Sequence, residues 1–219
     1  SCLNASSVIT QKNFINDISL SIVGIKYGGD RDFILKHSES ITIAPPEVQG
    51  NPVYFFRIEP DLPNGLFINP ENGGIQGTPT EFKERIEYIV TGKTDTEVEY
   101  TAVLHFTVIG INYDPARYIV KKDVLITDIL PEVNGITLPA TNAYAISDND
   151  LPDDIVFGVN DGKLSGTPTV SQNEKTYTIT ATDVSGATFQ AELSLKVFEF
   201  KYEEPIYRLK KDISINLHC

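Results

Sequence analysis

The sequence predicts an all-β protein built from tandem sandwiches of about seven short strands each. Alternating apolar and polar residues over 100–108 and 189–197 indicate strands with one buried face and one solvated face. Thirteen prolines and 15 glycines interrupt the 219-residue chain at short intervals. No segment keeps a helical apolar period over the ~11 residues that a helix prediction needs, so no helix is expected.

An internal repeat sets the number of domains. Residues 61–80 recur as residues 150–169 at a constant offset of 89, with Leu-Pro near the start and Gly-Thr-Pro-Thr at the end. Self-similarity at a fixed period indicates stacked copies of one unit. The matches that extend the repeat are Tyr27, Tyr113 and Tyr202, and Lys36, Lys122 and Lys211. The predicted pieces are the end of a preceding unit (1–25), two complete units (26–110 and 111–199) and the start of a following unit (200–219).

The remaining strands follow from short apolar runs bounded by turn residues. In the first complete unit they are residues 41–44, 53–58 and 88–90, and in the second they are residues 118–120, 124–129 and 177–181. Residues 182–186, Thr-Asp-Val-Ser-Gly, predict the hairpin turn before the last strand of the second unit.

The passage between the units is short. Residues 108–113 lead from the last strand of one unit into the next without a flexible Gly- and Ser-rich spacer. The recurring residues Tyr27, Tyr113 and Tyr202 are expected to pack between consecutive units rather than to form a binding stripe. We therefore expect an elongated, semi-rigid array.

The repeated motif is suited to ending strands and turning the chain. Proline after leucine fixes φ and removes a ladder donor, while Gly65 permits a backbone conformation that Asp154 has to adopt in the second copy. The pattern Leu-Pro-x-Gly-Leu followed by Gly-x-Ile-x-Gly-Thr-Pro-Thr resembles the immunoglobulin-like and dystroglycan-type cadherin-like repeats of extracellular proteins. This resemblance covers residues 26–198 and implies tandem immunoglobulin/cadherin-like β-sandwiches at the cell surface. Its motif residues are scaffold in that family and name no partner.

Composition excludes several classes of function. The chain has 30 acidic and 18 basic residues, and its net charge of −12 repels nucleic acid and anionic lipid. No apolar run approaches the roughly 20 residues of a membrane span, so direct membrane insertion is not expected. His37, His105 and His218 occupy non-equivalent positions, and no phosphate loop, Cys-x-x-Cys or His-Glu-x-x-His motif occurs. The sequence therefore predicts that the chain is not an enzyme.

The acidic turn at residues 147–154 is the candidate metal site. Its oxygen-bearing side chains offer hard ligands to Ca²⁺, the one cofactor that the sequence suggests. An EF-hand is excluded because its final glutamate would fall at Val159. The alternative is a solvated turn in which Asp and Asn tolerate tight backbone geometry. The candidate ligands are Asp148, Asn149, Asp150, Asp153 and Asp154.

A second acidic group follows the recurring tyrosines. This group consists of Asp30, Asp32, Asp114, Glu203 and Glu204, and it lies where cadherin-like arrays, by the resemblance, often bind calcium between units. Arg31 and Arg117 share the region, and ordinary surface ion pairs are the favoured interpretation.

Two cysteines and one sequon are candidate modification sites. Cys2 and Cys219 lie at opposite ends, so a bond between them is not expected in an elongated array. Bonds to other chains or to absent segments are the functional alternative, and free thiols are the other. Asn4, in Asn-Ala-Ser, is the candidate glycosylation site.

The leading hypothesis is a non-catalytic extracellular repeat segment of a surface adhesin, stalk or filament subunit that mediates adhesion or spacing. Its expected partners are neighbouring repeats or subunits of the same protein and a cell-surface protein or glycan. The terminal segments 14–23 and 207–217 are expected to pair with such neighbours. The alternative is carbohydrate or protein recognition by accessory modules of a larger secreted enzyme. The candidate residues for such recognition are Tyr54, Phe55 and Phe56 in the predicted strand 53–58. Alternation along that strand places the Phe55 side chain on the opposite face from Tyr54 and Phe56.

Overall fold

The computed structural model describes residues 23–29, 31–148 and 150–200. The predictions made for both termini, for Asn4, Cys2 and Cys219 and for Tyr202 lie outside these residues, as do Asp30 and Asn149. The described residues form sixteen strands and no helix, which confirms the all-β prediction. Among the described residues, no helix is long and apolar enough to cross a membrane.

The strands follow the chain in short segments, and the longest are the last two of each repeat. The bounds are β1 Gly24–Lys26, β2 Asp32–Lys36, β3 Ile41–Ile43, β4 Glu47–Gln49, β5 Val53–Glu59, β6 Leu66–Ile68, β7 Ile75–Gly77, β8 Lys83–Thr94, β9 Glu99–Asn112, β10 Arg117–Lys121, β11 Glu132–Asn134, β12 Tyr144–Ile146, β13 Ile155–Phe157, β14 Leu164–Gly166, β15 Gln172–Thr182 and β16 Thr188–Phe198.

The chain divides into two compact units. Among the described residues, the first unit comprises those up to Gly110 together with Val133–Ile136, and the second comprises the others. In the first unit one sheet has the order β11-β9-β8-β5, with β2 also paired to β9, and another has the order β3-β7-β6. In the second unit the main sheet has the order β10-β16-β15-β12, and β13 pairs with β14.

Each unit buries one face of its strands in a core. In the first unit the fully buried side chains include Ile75, Tyr88 and Phe106, and the Tyr88 and Phe106 rings meet edge to face with centroids 5.2 Å apart. In the second unit Leu164 and Tyr177 are equally buried. Alternation along β9 and β16 places the buried residues of these strands on one face, as the sequence predicted.

One strand in each unit runs parallel to the last strand of that unit. These entry strands are β2, which runs parallel to β9, and β10, which runs parallel to β16. In the first unit β8 pairs antiparallel with β9 and with β5, and in the second unit β15 pairs antiparallel with β16 and with β12. Both entry strands therefore occupy the same position in their units.

The register of the entry strands corrects one predicted match. Lys36 lies opposite Ile109, and Lys121 lies opposite Phe198, which is 89 residues beyond Ile109. Lys36 is therefore equivalent to Lys121, and its predicted match with Lys122 is wrong by one residue. The loop between the recurring tyrosine and the entry strand is one residue shorter in the second unit, so the repeat offset falls from 86 to 85.

The shared motif closes a turn so tightly that it excludes side chains. A β-carbon on Gly77 would lie 2.1 Å from the carbonyl oxygen of Gly65, and one on Gly166 would lie 2.1 Å from that of Asp154. Gly65 has φ 89° and Asp154 has φ 66°, the left-handed conformation expected at both positions. The residues of the repeated motif are thus required by the backbone conformation of this turn.

Candidate functional site

The recurring tyrosines hold each unit together internally. The Tyr27 hydroxyl donates a 2.5 Å hydrogen bond to the Gly73 carbonyl, and the Tyr113 hydroxyl donates an equal bond to the Gly162 carbonyl. Both rings are buried within their own unit, and the bonded glycines belong to the turns that precede β7 and β14. The expectation that these rings pack between units is wrong for Tyr27 and Tyr113, because their hydroxyls satisfy a turn of the same unit.

Burial gives these tyrosines a pH signature. Desolvation raises the pKa of Tyr27 and of Tyr113 well above the ordinary value, since a buried phenolate loses its hydration. The pKa of Tyr113 is raised further, and more weakly, by the nearby phenols and the Asp161 carboxylate.

Stability is therefore expected to fall in alkali. The unfolded chain releases each tyrosine proton near pH 10, while the folded unit retains it, so the folded-state pKa lies above the unfolded value. The contribution is complete below about pH 10, and above it each of these two tyrosines removes about 1.4 kcal/mol of unfolding free energy per pH unit. Urea unfolding at about pH 9, 10 and 11 measures this slope. Tyr113→Phe should reduce the slope for the second unit, and an unchanged slope would contradict the assignment.

The acidic turn predicted to bind calcium is occupied by internal contacts. Both carboxylate oxygens of Asp150 accept 2.5 Å hydrogen bonds from Lys175 Nζ, and this contact holds the Asp150 pKa below its usual range. Asp148 lies 3.9 Å from the same ammonium group, and Asp154 accepts a 2.9 Å bond from the Thr169 hydroxyl. Asp148 and Asp154 both have positive φ, as expected of a tight turn.

These contacts do not bring the predicted ligands together. Asp153 uses its backbone carbonyl to accept a bond from Thr169, and an ammonium group lies where Asp148 and Asp150 approach each other. In the part of the chain that the structure describes, no three potential metal-binding side chains form a group. The arrangement does not fit Ca²⁺ as it stands, and calcium binding stays a prediction for titration with CaCl₂ to test.

Two surface ion pairs occur beside the entry strands. Asp32 on β2 accepts from Arg85 on β8, at 2.9 Å from Nε and 2.7 Å from Nη2. Arg117 on β10 donates from Nε and Nη2 to Glu174 on β15, at 2.8 Å each. The hydrogen bonds from arginine lower the pKa of Asp32 and of Glu174. Asp32 and Arg117 thus engage in ion pairs with residues of β8 and β15, each of which lies on the far side of the strand that the entry strand pairs with.

Exposed aromatic rings lie on the edge strand of the first unit. Tyr54 is 63% exposed and Phe55 is 49% exposed, whereas Phe56 is 3% exposed. The sequence alternation placed Tyr54 on the same side as Phe56, and this is wrong for Tyr54. The pairing of β5 with β8 shifts register between Val53 and Phe55, so an extra residue turns Tyr54 outward.

The second unit lacks these rings. Phe56 and Tyr144 are equivalent, because their backbone N–H groups donate to the carbonyls of Pro70 and Val159, which are 89 residues apart. The residues equivalent to Tyr54 and Phe55 are therefore Asn142 and Ala143. The aromatic pair is a property of one unit and not of the shared scaffold.

The second unit carries a different apolar surface. Ser38 and Asp123 are equivalent, since their N–H groups bond the carbonyls of the two motif prolines. The next two residues are Glu39 and Ser40 in the first unit but Val124 and Leu125 in the second, where Leu125 is 73% exposed. A groove of about 490 Å³ lies beside them, and it is also lined by Tyr118, Val120 and residues 126–129. Comparison of the two repeats at the corrected offset would have found this difference.

The comparisons with known proteins address the family. Residues 35–109 and 112–198 each match the model of the family described as "Putative Ig domain" (He_PIG). No curated protein matches the chain.

The solved structures that the chain matches include proteins with several extracellular domains. Domains 3–5 of Drosophila OTK are 16% identical, with 81% of this chain and 65% of that chain covered and a TM-score of 0.34. Drosophila N-cadherin EC1-4 is 13% identical, with 81% and 50% covered and a TM-score of 0.34. The insect immune protein hemolin is 15% identical, with 83% and 49% covered and a TM-score of 0.37.

The chain spans between half and two thirds of the first solved chains that it matches. The family matches account for more than half of the chain and confirm the resemblance drawn from the motif. The chain belongs to the He_PIG family of immunoglobulin-like domains and contains two tandem copies of that domain.

Proposed function

We propose that this chain is a non-catalytic repeat segment of an extracellular adhesin, stalk or filament subunit. The observation that carries the proposal is a scaffold whose turn contacts repeat in both units beneath surfaces that differ. The tyrosine-to-glycine bond and the excluded β-carbon at the motif glycine recur at matching positions. Side chains that no scaffold contact requires, such as Tyr54 and Leu125, do not recur.

A constant scaffold with a variable surface fits a unit that serves as a spacer and also presents binding residues on its surface. Each unit adds length through the same internal contacts, while its surface residues are free to differ from those of its neighbour. The net charge of −12 keeps this surface soluble and repels anionic lipid. The proposed partners are neighbouring repeats or subunits of the same protein, and a cell-surface protein or glycan.

Two experiments test this proposal. Antibodies against the chain should label intact cells that make the parent protein, and external protease should remove the label. Labelling only after permeabilisation would contradict an extracellular role. Deleting residues 112–198 from the parent protein should shorten its reach and leave partner recognition intact if the unit is a spacer. Loss of recognition would instead assign adhesion to this unit.

A second candidate function is carbohydrate recognition by the first unit. The exposed rings of Tyr54 and Phe55 are adjacent on the edge strand β5. Charged groups flank them, since Phe55 lies opposite Lys93 and Arg57 donates a 3.1 Å bond to Glu99. Aromatic faces with a few polar groups at their rim are typical of small-ligand sites.

The recognition hypothesis predicts a specific loss. If the wild-type chain gives signals on a glycan array, Tyr54→Ser combined with Phe55→Ser should abolish them, because the stacking surface is removed. Thermal stability should be nearly unchanged, since both side chains are exposed. Val184→Ser, an exposed apolar change in the second unit, is the matched control and should keep all signals. A blank array for the wild-type chain would refute this function.

A further inference from the structure

The two ion pairs beside the entry strands are the same device with its charges reversed. Asp32 lies opposite His105, and Arg117 lies opposite Ser194, which is 89 residues beyond His105. Their partners, Arg85 and Glu174, are also 89 residues apart. The first unit thus has its carboxylate on the entry strand and its guanidinium on the long strand. In the second unit the order is inverted.

Arg85 and Glu174 lie at equivalent register shifts in the long strands β8 and β15. The pairing of β8 with β9 shifts register between Lys83 and Ile86, and Arg85 lies inside that interval. The pairing of β15 with β16 shifts register between Gln172 and Lys175, and the interval contains Glu174. A bulge re-aims the side chains within it. Both units therefore direct one charged residue toward the entry strand from an equivalent position.

The apolar residues of the entry strands do not distinguish the units. Phe33 and Leu35 on β2 correspond to Tyr118 and Val120 on β10, and each pair is at least partly buried. Both strands are five residues long and pair in parallel with the last strand of their unit. A unit that is still folding would accept the hydrophobic pattern of either strand.

Tandem repeats make such an exchange probable during folding. Covalent linkage holds the wrong entry strand at a high effective concentration, on the order of millimolar for a short connection. Misassembly between similar neighbours is a characteristic failure of repeat proteins. A feature that differs between the units is needed to prevent it.

We propose that the reversed ion pairs determine which unit each entry strand joins during folding, so that β2 pairs in the first unit and β10 in the second. If β2 took the place of β10, Asp32 would face the carboxylate of Glu174. If β10 took the place of β2, Arg117 would face the guanidinium of Arg85. Both exchanges replace a bidentate attraction by a like-charge contact, while both native arrangements keep the attraction.

Reversing one ion pair at a time tests whether the pairs direct strand pairing during folding, separately from their effect on the stability of the folded chain. Asp32→Arg with Arg85→Glu gives the first unit the polarity of the second. Arg117→Asp with Glu174→Arg gives the second unit the polarity of the first. Each double variant keeps an attractive pair in both units but removes the difference between them. The quadruple variant reverses both pairs and restores the difference, so it carries every substitution and serves as the matched control.

The full chain is unfolded in urea, diluted rapidly at low protein concentration, and scored for the fraction of misfolded, protease-sensitive monomer. Each double variant should give a several-fold larger misfolded fraction than the wild-type chain at about 0.05 M salt. The quadruple variant should return to the wild-type fraction. The differences should shrink near 1 M salt, where the screening length falls to about 3 Å.

Two results would overturn the proposal. One is equal refolding of the wild-type chain and both double variants at low salt. The other is a quadruple variant that misfolds as often as the double variants, which would assign the effect to the substitutions themselves. Thermal unfolding of all four proteins measures any native cost, and that cost should be shared by the quadruple variant.

Discussion

Replacing Gly166 with alanine is expected to lower the unfolding free energy of the second unit by about 3–5 kcal/mol. The new β-carbon would lie 2.1 Å from the carbonyl oxygen of Asp154, so backbone has to move. Gly166 also has φ 126°, a conformation that side chains rarely adopt. Urea unfolding followed by circular dichroism measures the change, and the transition of the second unit should move while that of the first stays in place.

Gly186→Ala separates strain from steric exclusion. Gly186 has φ 87°, but a β-carbon there would meet no atom within 4 Å. Its substitution should therefore cost only about 1 kcal/mol, from conformation alone. Equal losses for the two alanine variants would show that the close approach at Gly166 is unimportant.

Tyr27→Phe is expected to lower the unfolding free energy of the first unit by about 1–3 kcal/mol. The substitution removes the hydroxyl that donates to Gly73 and leaves that buried carbonyl without its partner. The ring itself is retained, so packing changes little. Differential scanning calorimetry and urea unfolding at neutral pH both measure the loss.

Tyr88→Phe in the same unit is the matched control. The Tyr88 hydroxyl is fully buried, and within the described residues it has no hydrogen-bond partner. Removing it relieves the cost of burying an unpaired polar group, so stability should rise by up to about 1 kcal/mol. Two tyrosine variants that lose stability equally would contradict the role assigned to the Tyr27 bond.

The long strands and the repeat were predictable because they depend on local patterns. Alternation over residues 100–108 lies within β9, and alternation over residues 189–197 lies within β16. The constant offset of 89 joins motif positions that share their turn geometry, as the matching contacts of Gly77 and Gly166 show. Pattern and period are properties of the chain itself, so the fold class followed from them.

The errors arose where one residue is gained or lost. A register shift turned Tyr54 outward, to the side opposite the one predicted. A shorter loop made Lys121, rather than Lys122, the residue of the second unit that is equivalent to Lys36. Because side-chain direction has a period of two in a strand, a single residue changes every later assignment. The partners of Asp32 and Arg117 come from strands more than 50 residues away, and no local pattern names them.

The parallel entry strand gives each unit a particular response to tension. β2 lies near the start of the first unit and runs parallel to β9 at its end, and the His37 N–H extends the ladder by bonding the Ile109 carbonyl at 2.9 Å. Pulling the two ends of such a unit slides these strands past each other along their length. The ladder bonds are then strained together rather than opened one after another, which slows forced unfolding. The second unit has the same arrangement in β10 and β16. A chain that links two surfaces under flow would resist extension by this shear.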